Sequence, residues 1–200
     1  PAFVNYVEGI YVGYKFYETA AAEGLIDYDK TVVYPFGRGL SYTTFTQSLN
    51  SVTEADGTIT VDVTVTNTGS ASGKEVVEVY YNPPYTNGGI EKASANLIGF
   101  AKTSELAPGA SENVTVTFKA EDMASYDTYG KGCYVLEKGD YVISINADSH
   151  TVLDSKVYNV ASDIVYDASN KRESDVEVAD NKFDFAEGNV TYLSRANGFA

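Results

Sequence analysis

Two hundred residues carry 28 acidic and 14 basic side chains, a formal charge of −14, which opposes binding to nucleic acid or anionic membrane. One cysteine, Cys133, and one histidine, His150, exclude an intrachain disulfide and a cysteine-based metal cluster. The length is enough to bury a core, and no apolar run is long enough to span a bilayer.

In chain order, Phe3 to Tyr6 reads as the tail of a strand, and Val12 to Gly24 (VGYKFYETAAAEG) as a helix closed by Gly24. Thr31 to Tyr34 is a short β-branched run predicting a second strand. A strand, helix, strand order over so few residues is the pattern of the last part of an α/β unit. The loop YPFGRGLSYTTF, Tyr34 to Phe45, follows. Pro35, Gly37 and Gly39 restrict or bend its backbone, and Phe36, Tyr42 and Phe45 predict a wedge pinned between two packing surfaces.

From about Thr46 the apolar period becomes two. Thr58 to Asn67 puts Ile59, Val61, Val63 and Val65 on one face, with Thr60, Asp62, Thr64 and Thr66 on the other. Further strands are predicted at Gln47 to Thr53, Lys74 to Asn82, Asn96 to Leu106, Glu112 to Ala120, Cys133 to Glu137, Asp140 to Asp148 and Thr151 to Val160. Turn signals recur about every ten residues, the signature of an immunoglobulin-like or fibronectin type III-like antiparallel sandwich. Val61, Val63, Val116 and Phe118 are predicted to face its core. After Val160 the apolar density falls, and Asp167 to Asp184 reads as a linker or a segment lying along another domain. Val190 to Ala200 becomes apolar again, and the absence of an initiator Met gives the chain the look of an excised piece.

Candidate chemistry is sparse. Glu8 stands where a strand-to-helix junction would place a ligand, but a carboxylate near a helix N-terminus is also simply favourable there. Asp27 with Asp29, and Asp122 with Asp127, lack a calcium-loop ligand string and read as solvated carboxylates. His150, between Ser149 and Thr151, reads as a solvated turn residue. The loop Asn82 to Lys92 is long and predicts Tyr85 lifted into solvent, where its ring could stack on a sugar; loop packing is the alternative.

The segments NYVEGIYVGYKFYE, YPFGRGLSYTTF, VTNTGSASGKEVVEVYY, LIGFAK, LAPGASENVTVTF and KGDYVISI run in order from Asn5 to Ile145. Together they resemble the glycoside hydrolases of family three, the β-glucosidase and β-xylosidase group. The resemblance implies that residues 1–45 end an α/β sandwich domain and carry the interdomain loop. It makes 46–160 a fibronectin type III-like domain and 161–200 a connector toward a further domain. Phe183 to Ala200 resembles the connector of members with a permuted domain order. Arg38 stands where relatives often carry His or Tyr.

The family's nucleophile and acid/base motifs have no match here. The resemblance therefore implies a non-catalytic accessory segment of an enzyme that hydrolyses terminal β-glycosides with retention, inactive alone and needing no cofactor or metal. Its partners would be the remaining catalytic domains of the same polypeptide and, for the whole enzyme, a β-linked glycoside. The alternative is an independent carbohydrate-binding or adhesion module. Low cysteine and strong acidity favour a secreted or cell-surface protein over a cytoplasmic one.

Overall fold

A computed structural model describes residues 4–179 and 183–200. The element order is α1 (Tyr14–Ala22), α2 (Tyr28–Thr31), β1 (Phe45–Ala55), β2 (Thr58–Asn67), β3 (Val76–Asn82), β4 (Asn96–Lys102) and β5 (Ser111–Lys119). It continues with β6 (Ser125–Tyr126), β7 (Tyr134–Leu136), β8 (Gly139–Asn146), β9 (Val152–Val160) and β10 (Ile164–Tyr166). One sheet has the order β1-β2-β5 and the facing sheet β4-β3-β8-β9, all antiparallel; β10-β7-β6 forms a small third sheet.

The period-two reading of β2 holds residue by residue. Ile59, Val61, Val63 and Val65 are fully buried, while their neighbours are only partly covered. Across the ladder Ile59 faces Phe118, Val61 faces Val116 and Val63 faces Val114, so the inward residues of both strands form one apolar row. The opposing sheet supplies Val77, Val79 and Tyr81 from β3 with Tyr141, Ile143 and Ile145 from β8, and all of these belong to one contiguous core.

Asn67, at the end of β2, is fully buried and organises the turn that follows. Its Nδ2 donates to the carbonyls of Ala71 and Leu106, both at 2.8 Å, and its Oδ1 accepts from Thr43 Oγ1 at 2.8 Å and from the Gly69 amide at 3.0 Å. A buried amide thus bonds on both sides, as it must to offset its desolvation.

Helix α1 forms where predicted. It closes with Gly24 at φ 72, whose amide reaches the Ala21 carbonyl while that of Leu25 reaches Ala20, the pair of bonds that marks a left-handed helix stop. The strands expected on either side of it do not form. Val4 to Tyr6 is irregular, and Phe3 lies outside the described residues. Thr31 belongs to α2 instead of a strand: Asp27 caps that turn, and Thr31 Oγ1 and the Val32 amide bond back to Asp27 and Tyr28 carbonyls. Local capping there outweighs the β-branched preference.

The stretch expected as a linker is anchored in part. Ile164–Tyr166 pairs with β7. The Arg172 guanidinium lies 3.7 Å from the centre of the Tyr134 ring and bonds Asp175 at 2.7 and 2.8 Å, and the Glu173 amide donates to the Glu121 carboxylate. Cation–π attraction to Tyr134 and the ion pair of Glu173 with Lys119, at 3.0 Å, hold this segment against the sandwich despite its low apolar content, while the Arg172–Asp175 pair fixes its own turn.

Candidate functional site

The outer face of the four-stranded sheet is covered where β3 runs through it, although β9 stays exposed. Tyr80, flanked by the core residues Val79 and Tyr81, points to that opposite face and is almost fully buried there. What buries it is α1 and the glycine-containing loop. Tyr14 meets Tyr80 edge-on at 6.1 Å and stacks on Phe36 at 4.7 Å, and the Tyr14 hydroxyl accepts from the Leu97 amide. The Ser149 amide donates to the Phe36 carbonyl at 2.8 Å. Tyr80 donates its hydroxyl proton to Glu78 at 2.8 Å. Burial pushes the Glu78 carboxyl above its ordinary range; the Tyr80 bond opposes that shift and the nearby Asp148 charge adds to it.

Two carboxylates fasten this layer. Glu18, from α1, is 7 % exposed and accepts from Tyr28 Oη at 2.6 Å, Ser149 Oγ at 2.8 Å and His150 Nδ1 at 2.8 Å. The His150 ring stacks on Tyr28, centroids 3.6 Å apart and 4° from parallel. His150 stays exposed in its turn, as the sequence suggested, yet it is not without partners, because α2 brings an aromatic face and α1 a carboxylate to it. Burial, and then the bond to Glu18, raise the Tyr28 phenol above its ordinary value.

Glu91, in the β3–β4 loop, accepts from the Tyr11 hydroxyl and from Ser194 Oγ and the Arg195 amide. Burial first, and Glu91 second, push the Tyr11 phenol up. Next to it, Lys92 is buried with its Nζ bonded to the Pro84 carbonyl at 2.7 Å and paired with Glu137. Tyr85 is not lifted into solvent: its ring is half-buried and carries the Arg195 guanidinium 3.9 Å from its centre.

Glu8 is exposed and caps nothing; the residue before α1 is Gly13, without a side-chain cap. Asp27 accepts from the Lys30 amide, Asp122 from Lys119, and Asp127 from Gly130 and Lys131. These carboxylates stabilise their own turns. Among the described residues no three histidine, cysteine or acidic side chains cluster as metal ligands, and no helix is long and apolar enough to cross a membrane.

The predicted wedge is occupied on one side only. Phe45 packs against the core and Phe36 against Tyr14, while Leu40 is 94 % exposed and Tyr42 entirely so. Val33, Tyr34, Val4, Tyr6 and Val12 are exposed as well. Apolar side chains concentrated in two segments that flank α1 are the mark of an interaction surface. Glu18 and Glu91 escaped the sequence reading. The one local signal was the placement of Glu18 a turn from both Tyr14 and Ala22, on the face expected to be apolar.

Residues 75–149 match the family model described as a fibronectin type III-like domain. The chain is 42 % identical over 157 residues to β-glucosidase A of Butyrivibrio fibrisolvens, a match covering 70 % of this chain and 18 % of that protein. Among solved structures, it resembles a β-glucosidase from Paenibacillus barengoltzii with a TM-score of 0.70 and 38 % identity, over 80 % of this chain and 18 % of that one. It also resembles the GH3 β-glucosidase of Bifidobacterium adolescentis with a TM-score of 0.64 and 30 % identity, over 76 % and 21 %. The chain thus spans about a fifth of the length of such relatives.

Proposed function

The chain is of the glycoside hydrolase family 3 β-glucosidase type and spans its fibronectin type III-like region, and from that premise we propose that it serves as a non-catalytic accessory segment. In this reading the intact enzyme hydrolyses terminal β-glycosides with retention, and the paired carboxyl groups that such chemistry needs come from domains beyond these residues. The observation that supports it is the contrast between a well-packed sandwich and the exposed band of Val33, Tyr34, Leu40 and Tyr42 beside α1. That band is the face on which the catalytic domains rest. Residues 1–45 form the junction, 46–160 the accessory domain and 161–200 the connector, with the catalytic barrel following in the permuted arrangement.

The test compares the isolated chain with the intact enzyme. The isolated chain is expected to release no aglycone from an aryl β-glucoside; turnover that vanishes with Glu8→Gln would overturn the non-catalytic reading. Replacing Leu40 and Tyr42 together by serine should leave the denaturation of the isolated chain unchanged. In the intact enzyme the same pair should lower the temperature at which activity is lost, and an unchanged temperature would overturn the docking role.

A second role within the same reading is sugar contact by Tyr85. Its place on a long loop, where an arginine and a carboxylate also gather, supports it, with the ring left partly accessible. Tyr85→Ala in the intact enzyme should raise KM for a β-linked disaccharide more than for an aryl glucoside if the ring touches the distal sugar.

A further inference from the structure

The segment Leu193 to Phe199 returns to residues far away in sequence. The Leu193 amide donates to the Val7 carbonyl at 2.8 Å, and close by Asn5 Nδ2 donates to the carbonyls of Ala186 and Glu187 at 3.0 and 3.1 Å. Arg195 then reaches three separate elements. Its Nε donates to Glu23 at 2.9 Å, just past the end of α1, its Nη1 to the Lys92 carbonyl at 2.9 Å, and its plane covers Tyr85. The Arg195 side chain is only 10 % exposed. Phe199 closes the arrangement, its ring 4.7 Å from Tyr11 and 5.3 Å from Phe16.

We propose that Leu193 to Phe199 is a clasp, with Arg195 as its central positioning residue, that locks α1 and the β3–β4 loop together on the sandwich. The physical argument is one of shared partners. Fixing seven residues costs about 1–2 kcal/mol each in backbone entropy, so the segment orders only where many contacts are made at once. A planar guanidinium with five fixed donors satisfies Glu23, the Lys92 carbonyl and the Tyr85 face together only when α1 and the loop stand in one relative position. Glu91 repeats the condition from the other side, since its carboxylate joins Tyr11 to Ser194 and Arg195. The clasp therefore couples elements that share no strand ladder with one another.

In an intact enzyme the clasp would also hold the polypeptide entering the sandwich beside the polypeptide leaving it, so that flanking domains spring from one base. That consequence rests on the accessory reading above, whereas the clasp does not, and the experiment on this chain reads the clasp alone.

Hydrogen exchange would be followed in the 200-residue chain, in Arg195→Ala, in Arg195→Lys and in a chain ending at Asn189. Loss of the clasp should speed exchange of the Thr19 to Ala22 and Tyr85 to Lys92 amides about 10-fold or more, while Ile59 to Val65 keep their protection. Lysine, which retains charge without the fork, should fall between arginine and alanine. Unchanged protection of α1 in the shortened chain would overturn the proposal. So would parallel loss of protection in α1 and β2, which would make the segment an ordinary part of the sandwich.

Discussion

Gly37 lies directly over the carboxylate of Glu78: a Cβ at Gly37 would fall 2.4 Å from Glu78 Oε2, and Gly37 holds φ at 87. The close approach and the left-handed backbone both demand glycine, and Glu78 is not free to withdraw because Tyr80 bonds to it. Gly37→Ala is expected to cost about 1–3 kcal/mol in denaturant melts, the range for a strained backbone position. Gly39, with no atom within 4 Å of a built Cβ, should tolerate alanine with less than about 0.5 kcal/mol of change. Equal effects at the two glycines would show that Gly37 is not pinned against the sheet.

Asn67→Asp should be among the most damaging single-atom changes in the domain. It replaces a donor facing the Ala71 and Leu106 carbonyls with a buried acceptor, for which a loss of about 3 kcal/mol or more is expected. Thermal unfolding of the variant would measure it. A stability loss no larger than that of an exposed Asn→Asp change, such as at Asn170, would mean that water enters and replaces those bonds.

The raised Glu78 carboxyl sets a pH dependence with a definite sign. An acid whose folded value lies above its ordinary value of 4.5 binds its proton more tightly in the folded chain than in the unfolded one. Its contribution to stability is therefore largest in acid and declines as pH rises from the ordinary value through the folded one. Glu78→Gln keeps an acceptor for Tyr80 and removes the half-buried charge. The variant should gain stability over the parent across that window and hold the gain at neutral pH, measured as denaturation midpoints at several pH values. Parallel profiles for the two proteins would assign the raised value no energetic weight.

The sandwich was legible in the sequence because a strand's side chains alternate faces, and that alternation is local. Ile59 to Val65 and Val114 to Phe118 declare their inward side without reference to any other part of the chain. The same is true of the α1 stop at Gly24, which depends on a few neighbouring residues.

The fastening of the layer on the outer sheet face was not legible, because it depends on partners that only the tertiary structure brings together. Glu18 finds its donors in Tyr28, ten residues away, and in Ser149 and His150, more than a hundred residues away. Arg195 finds Glu23 at 172 residues. A carboxylate or a guanidinium has no period that announces its partner, so a solvated His150 and an exposed Tyr85 were the natural local expectations. Burial reversed the second, and His150, still exposed, gained partners instead, since a polar side chain brought against a packed layer meets whatever donor or aromatic face the topology delivers.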